Sequence, residues 1–156
     1  MRALVGLATV LSVFAACGDD NASASCAQPV REELDPGSLT HVIDPDDAKF
    51  RTNPPTSGPH VSGATPTGVL DEPIPGAVQV AILEGGGVLV QHRDLSPADV
   101  DTVEALADDD VVVAPNPDLP APVVATAWTY KLTCEAVDVD SLRSFIDDHV
   151  GAFIGH

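Results

Sequence analysis

Hydrophobic residues are distributed differently in the two parts of this chain. From residue 77 onward they form short apolar runs separated by glycine, proline and acidic residues. Residues 27–76 are instead rich in proline, glycine, aspartate and threonine, and they show little periodicity. The regular part predicts helices and strands. The irregular part predicts a long ordered coil that packs over the domain.

Two apolar runs at the start of the regular part predict a β-hairpin. Residues 78–83 are partly alternating and β-branched, and residues 88–92 form the second run. The stretch between them, 84–87, contains three consecutive glycines, which are typical of a tight turn between strands. Further strands are predicted at 111–114 and 123–130, where valine and alanine predominate.

Two helices are also predicted in the regular part. Ser96 is a suitable N-cap and Pro97 suits the first helical position, and apolar residues then recur at helical spacing to about residue 107. A second amphipathic pattern runs from about Val139 to Val150. The predicted order is therefore ββαββα. It favours an α+β domain in which two helices cover one face of a small mixed or antiparallel sheet.

The N-terminus has the pattern of a bacterial export signal. Arg2 precedes an apolar run at residues 3–14, which is too short to cross a bilayer, and Ala15 and Ala16 follow. A signal that ends in small residues directly before Cys17 resembles the bacterial lipobox, in which the cysteine thiol is lipidated. The alternative is an ordinary signal cleaved near Ala16 without lipidation.

These features predict the domain organisation and the location of the protein. We expect a signal peptide at 1–16, a lipidated Cys17 with a polar tether at 17–26, and a single globular domain at 27–156. The protein would then be anchored in a bacterial cell membrane by its lipid, with the domain on the extracytoplasmic side, in the periplasm or at the cell surface.

The cysteines are consistent with export. If Cys17 carries lipid, Cys26 and Cys134 remain and can pair in an oxidising compartment. Their Cα atoms should then lie about 4.4–6.8 Å apart. The alternative is a pair of free buried thiols.

The charge of the chain excludes one class of partner. The formal net charge is −17 at pH 7, and so acidic a surface repels phosphate backbones. We therefore expect no nucleic-acid partner, and we expect membrane contact only through the lipid anchor. The remaining possible partners are an unknown protein and a metal ion.

Several short segments of the chain form a recognisable pattern, namely NPPTSGPH at 53–60, Gly68 with DEP at 71–73, LEGG at 83–86, VVAPN at 112–116 and ATAW at 125–128. Together they resemble a bacterial domain family of unknown function whose members are often exported or membrane-attached. Family members combine a PPTSGPH turn with a later H-x-LEHG segment, and the resemblance spans roughly residues 41–150. It implies a histidine-based metal site or polar network, but no established activity.

The chain departs from the H-x-LEHG pattern. We assign Gln79 and Gly85 to the two positions at which the family has histidine, so that only Glu84 remains as a potential ligand in that segment. The resemblance therefore implies a weaker metal site here than in relatives that carry the full motif.

The metal hypothesis depends on the residues His41, His60 and Glu84. If the fold brings them together, they could hold zinc or copper, with His92 as an outside candidate. No closely spaced ligand motif enforces such a site. The alternative is that His60 makes a structural hydrogen bond in the proline-rich turn and that His41 is a surface residue.

The sequence shows no catalytic set. Ser57 and His60 share one turn, but no strand–turn–helix context surrounds Ser57 to make it a nucleophile. We therefore predict an extracytoplasmic lipoprotein that acts as a binding or interaction module. A zinc- or copper-binding protein is the alternative, and a hydrolase is a third and weaker hypothesis.

The lipoprotein prediction can be tested at the proposed lipid acceptor. We expect the Cys17→Ser substitution to release the protein from the membrane fraction or to block its processing, because the hydroxyl cannot replace the thiol in this modification. Fractionation of cells followed by immunoblotting measures this. A variant that stays membrane-bound and fully processed would contradict the prediction.

Overall fold

The computed structural model describes residues 25–152, which form three α-helices, seven strands and one short 3-10 helix. The helices are α1 (Gly76–Glu84), α2 (Pro97–Glu104) and α3 (Val139–His149), and the 3-10 helix is Pro45–Asp47. The strands are β1 (Val30–Arg31), β2 (His41–Val42), β3 (His60–Val61), β4 (Val88–His92), β5 (Val111–Pro115), β6 (Val123–Ala127) and β7 (Tyr130–Cys134). None of the helices in this range is long and apolar enough to span a membrane. The predicted signal peptide and Cys17 lie outside the described residues.

Five strands form the main sheet in the order β1-β7-β6-β4-β5. All neighbours are antiparallel except β4 and β5, which run parallel with Leu89 opposite Val112. Parallel neighbours need a crossover connection, and α2 lies in the segment that provides it. The α+β class and the mixed, mostly antiparallel sheet are thus confirmed.

The helices cover both faces of this sheet. Val103 and the α3 residues Leu142 and Phe145 pack against the sheet face that carries Val90 and Val113. Helix α1 packs against the opposite face, where its Ile82 and Leu83 contact Leu89, Val112 and Ala114 in the core. The two predicted helices therefore share one face as expected, whereas the sequence did not indicate the helix on the other face.

The prediction of a strand at residues 78–83 is wrong, because these residues belong to α1. The helix follows Pro75 and ends at Glu84, with Gly85 as its C-cap, and six of its nine residues are buried while the other three are partly buried. A helix that is buried on most sides has no polar face, so the apolar pattern with a period of 3.6 residues is lost. Its β-branched residues then resemble those of a strand.

The prediction of a single strand at 123–130 is also wrong. Strand β6 ends at Ala127, and Trp128 and Thr129 form a turn into β7, which the sequence did not indicate. Thr129 adopts a positive φ of 63°, and its N–H donates a hydrogen bond of 2.9 Å to the carbonyl of Thr56. This turn contains no glycine or asparagine, so the usual sequence signal for a hairpin is absent.

The segment predicted as a long coil contains β1, β2, β3 and the 3-10 helix between its irregular stretches. Strand β1 extends the main sheet by pairing with β7, while β2 and β3 form a separate two-stranded parallel sheet. Phe50 packs its ring between Gly58 and Gly76, where an added Cβ would crowd it. This contact joins the proline-rich turn to the start of α1.

Cys26 and Cys134 form a disulfide between positions 108 residues apart in the sequence, as predicted. Their Cα atoms lie 3.9 Å apart, which is closer than the expected 4.4–6.8 Å. The two residues face each other in an antiparallel bridge, and the flanking hydrogen bonds join Ala27 to Thr133 and Glu135 to Ser25. Such non-hydrogen-bonded pairs have the shorter Cα separation in antiparallel sheets.

The disulfide should contribute strongly to stability, because it joins the start of the domain to β7. We expect the double variant Cys26→Ser/Cys134→Ser to lose about 2–5 kcal/mol of unfolding free energy. Urea denaturation with and without reductant measures this. Reductant should lower the midpoint of the wild-type protein and leave that of the double variant unchanged. Two alkylatable thiols in the unreduced protein would contradict the pairing.

Candidate metal centre

Three side chains, from β2, β3 and α1, meet at the C-terminal end of α1. Each of His41, His60 and Glu84 offers one potential ligand atom, and these atoms all lie within 4.8 Å of one another. His60 is completely buried, Glu84 is partly buried and His41 is exposed. These are the three residues that the sequence singled out, so the fold brings the whole predicted set together.

The two-stranded parallel sheet places the two histidines side by side. His41 in β2 is the direct partner of His60 in β3, and the N–H of His60 donates a 3.1 Å hydrogen bond to the carbonyl of Thr40. The two imidazole rings meet edge to face with their centroids 4.7 Å apart. The pairing of β2 with β3 therefore fixes the separation of the two candidate ligands.

The proline-rich turn that precedes His60 is held by hydrogen bonds on both sides. The N–H of Asp35 donates to the hydroxyl of Ser57 at 2.9 Å, and the carbonyl of Thr56 accepts from the N–H of Thr129 in the β6–β7 turn. Gly58 has a φ of 138°, a conformation that side chains with a Cβ rarely adopt. The fixed backbone of this turn therefore determines where the side chain of His60 points.

A charged group anchors the same turn to β7. Glu32 accepts hydrogen bonds of 2.7 Å from both the hydroxyl of Thr56 and the ammonium of Lys131. Burial acts to raise the pKa of Glu32, but the hydrogen bonds from Lys131, Thr56 and Thr52 outweigh it, so the pKa is lowered overall. The carboxylate therefore stays ionised and holds the turn against the sheet.

Helix α1 supplies the carboxylate of the cluster. Glu84 is the last residue of α1, and the helix packs directly against β3. The C-terminus of a helix carries a partial negative charge, so an acidic side chain there is electrostatically unfavourable unless a cation lies nearby. The position of Glu84 favours a positive charge between it and the histidines.

The ring of His60 is oriented so that its Nε2 faces the carboxylate of Glu84. Its Nδ1 lies 3.0 Å from the carbonyl oxygen of Gly58, and because a carbonyl only accepts, we assign the ring hydrogen to Nδ1. Its Nε2 lies 2.7 Å from a carboxylate oxygen of Glu84. That contact is short but not aligned as a hydrogen bond, so the buried Nε2 has no hydrogen-bond partner among the described residues.

A cleft of about 360 Å³ opens beside the cluster. His41 and Glu84 form part of its wall. The other lining residues are small or moderately sized, namely Val61, Ser62, Gly63, Thr65, Ala81 and Gly85. The cluster is therefore accessible from solvent through His41 and Glu84, while His60 is covered.

Gln79 belongs to a different group of residues. Its amide donates a 2.7 Å hydrogen bond to the carbonyl of Ile74 and accepts one of 3.0 Å from Gln91, which in turn accepts from Asn116 at 2.5 Å. The sequence pattern did not predict this buried chain of amides. Its only sequence signal is the presence of glutamine within the apolar runs that form α1 and β4.

The assignment of Gln79 to a family histidine position is therefore wrong. Ala81, and not Gln79, borders the cleft together with Gly85. When the segment H-x-LEHG is aligned on Leu83 and Glu84, its spacing also places the first histidine at residue 81. Residues 81, 84 and 85 are three and four positions apart, so they share one side of the helix end.

Ser57 and His92, the other residues considered for catalysis or metal binding, do not take part in the cluster. The hydroxyl of Ser57 is buried and bonded to Asp35, and His60 bonds to Gly58, so these two side chains do not form a nucleophile–base pair. His92 lies at the end of β4, outside the cluster. Burial lowers the pKa of His92, against the opposing effect of Glu104.

His149 is likewise separate from the cluster. Its ring stacks on Tyr130 with centroids 4.3 Å apart. Burial lowers the pKa of His149, although the nearby carboxylate of Asp148 acts to raise it. This histidine is therefore part of the contact between α3 and β7.

No curated protein and no solved structure matches the chain. A protein-family model described as "Protein of unknown function (DUF3105)" matches residues 41–153, a range that contains all three residues of the cluster. The resemblance to a family of unknown function is thereby confirmed over most of the described domain. The chain belongs to the DUF3105 family.

Proposed function

We propose that this protein is an extracytoplasmic lipoprotein that binds one zinc or copper(II) ion through His41, His60 and Glu84. The observation that carries the proposal is the buried Nε2 of His60, which faces a carboxylate 2.7 Å away without hydrogen-bond alignment. Buried polar atoms nearly always have a hydrogen-bond partner, so a buried nitrogen without an aligned partner, beside two further donor groups, points to a missing ligand.

Electrostatics favours a cation as that partner. With its hydrogen on Nδ1, a neutral His60 directs the Nε2 lone pair toward the negative oxygen of Glu84, and the two repel each other. A proton on Nε2 would remove the repulsion, but the 2.7 Å contact does not have the geometry of a hydrogen bond. A metal ion can instead bind both atoms from a third point, with His41 as the next ligand.

The hydrogen bond from Nδ1 to Gly58 also suits a metal ligand. Histidines that bind metals usually donate their other ring N–H to a carbonyl or carboxylate, which fixes the orientation of the ring. His60 has this arrangement in the structure, since Gly58 accepts from Nδ1 at 3.0 Å. The proline-rich turn therefore supplies both the ligand and the group that orients it.

The donor atoms select the class of metal. Two imidazoles and one carboxylate suit zinc or copper(II), whereas copper(I) prefers sulfur ligands. Within residues 25–152 the only sulfur atoms are those of the Cys26–Cys134 disulfide, because Met1 is the sole methionine of the chain. The acidic surface, with a net charge of −17, additionally attracts cations.

The proposed location rests on the N-terminal pattern that ends at Cys17 and on the cysteine pair. Disulfides persist mainly in oxidising compartments, and the Cys26–Cys134 bond is consistent with export. On this basis the domain is held by lipid at the outer side of a bacterial membrane, where it meets metal ions outside the cytoplasm.

A second candidate function, an interaction module, is favoured by the surface around His41. Leu39 is 75% exposed and Ile43 is fully exposed, so apolar side chains lie on both sides of the outer histidine in the sequence. Exposed apolar residues that lie together are common at protein contact sites. A protein partner that docks there would lie next to the metal.

Metal binding is tested on protein purified without a histidine tag. We expect one equivalent of zinc or copper(II) to bind in a chelator-competition titration, and we expect His41→Ala and Glu84→Gln each to weaken Kd by about tenfold or more, equivalent to 1.4 kcal/mol. His41 is exposed and Glu84 is only partly buried, so both variants should fold.

The matched control is His92→Ala, which removes a histidine outside the cluster and should leave Kd unchanged. His60→Ala should also abolish binding, but it removes a buried side chain, so circular dichroism must show that it is folded. If the wild-type protein binds neither ion in a saturable, one-to-one manner, the proposal is wrong.

Ala81 borders the cleft and Gln79 does not, and this difference gives a separate prediction. We expect Ala81→His to tighten zinc binding by about tenfold or more, since residue 81 borders the cleft beside Glu84. Gln79→His should not tighten it, and it should lower stability, because it breaks the amide chain to Gln91. Equal gains in affinity from the two variants would show that this placement is incorrect.

A further inference from the structure

We infer that the metal bound by this site keeps one coordination position open toward the cleft and accepts a small anion there, of the carboxylate or azide type. This inference rests on the proposed metal site and concerns what the site would do with its ion. A metal with an open position can exchange small ligands in the cleft, whereas a metal in a closed structural site cannot.

The protein supplies only three donor side chains, and they leave one side of the site free. His41 and His60 approach from the two-stranded sheet, and Glu84 approaches from the end of α1. The residues that border the cleft next to Glu84 on the same helix end are Ala81 and Gly85, which have no donor atom in their side chains. Zinc sites with three protein ligands keep the fourth position for water or a substrate, whereas structural sites have four.

The size and lining of the cleft are consistent with a small anion. Its volume is about 360 Å³, which lies at the lower end of the ~300–1,000 Å³ found for small-molecule pockets. Ser62 and Thr65 contribute hydroxyl-bearing residues to its wall, and hydroxyls can donate hydrogen bonds to an anion. The cleft therefore has room for a small ligand beside the metal.

The net charge of the occupied site also favours an anion. A divalent ion with one carboxylate and two neutral imidazoles carries a net charge of +1, and the burial of His60 reduces the screening of this charge by water. An anion is therefore attracted at short range. At longer range the net charge of −17 repels large polyanions, so the site should discriminate in favour of small anions.

The test uses the protein loaded with cobalt(II) or copper(II), whose visible absorption reports the ligands of the metal. We expect saturable spectral shifts on titration with azide and with acetate. We expect Gly85→His to abolish these shifts while retaining the metal, because its imidazole would occupy the open position. Gly85 has φ −69° and ψ −2°, and a Cβ there would meet the Ile82 carbonyl at 3.4 Å, an ordinary contact.

Ala105→His is the matched control. Ala105 is the C-cap of α2, with φ −67° and ψ −5°, so the new histidine has the same type of backbone position as in Gly85→His. Helix α2 belongs to the opposite face of the sheet from α1. We therefore expect this variant to keep the anion-induced shifts of the wild-type protein.

The outcomes separate this inference from the proposed function. Metal-loaded protein whose spectrum does not respond to either anion overturns the open position and leaves the metal site standing. Shifts that persist in metal-loaded Gly85→His overturn the placement of that position at the cleft. Protein that retains no cobalt, copper or zinc overturns the proposed function and this inference together.

Discussion

The burial of α1 between the main sheet and the two-stranded sheet is the constraint on which the rest of the structure depends. One side of the helix packs Ile82 and Leu83 onto the sheet, and β3 contacts the helix as well. A helix of nine residues is not stable alone in water, so these contacts must hold it. By holding it, they also place Glu84 beside His60.

The proline-rich turn positions His60, as α1 positions Glu84. It is tied to the β6–β7 turn by the hydrogen bond from Thr129, to Glu32 by the hydroxyl of Thr56, and to α1 by the ring of Phe50. Each tie restricts the backbone that carries His60. Folding therefore already orders this imidazole, and that order would favour binding of the proposed metal ion.

The buried polar groups of the domain fall into two kinds. The amides of Gln79, Gln91 and Asn116 satisfy one another and the Ile74 carbonyl, as expected for a structural network in a core. The Nε2 atom of His60 differs from them, since it lacks an aligned partner within the described range. This contrast within a single domain distinguishes the polar groups that stabilise the fold from the one that points to a ligand.

The sequence by itself determined β4, β5, α2, α3, the α+β class and the cysteine pair, because alternation, helical spacing, caps and cysteine count are local or compositional signals. The resemblance to the family also pointed to His41, His60 and Glu84. Only the tertiary structure decided that residues 78–83 are helical, because burial on most sides removes the amphipathic pattern. The tertiary structure also decided that the side chain of Gln79 bonds to Ile74 and not into the cleft. It decided as well that strand pairing brings His41 to His60, because pairing across a long loop leaves no periodic pattern in the sequence.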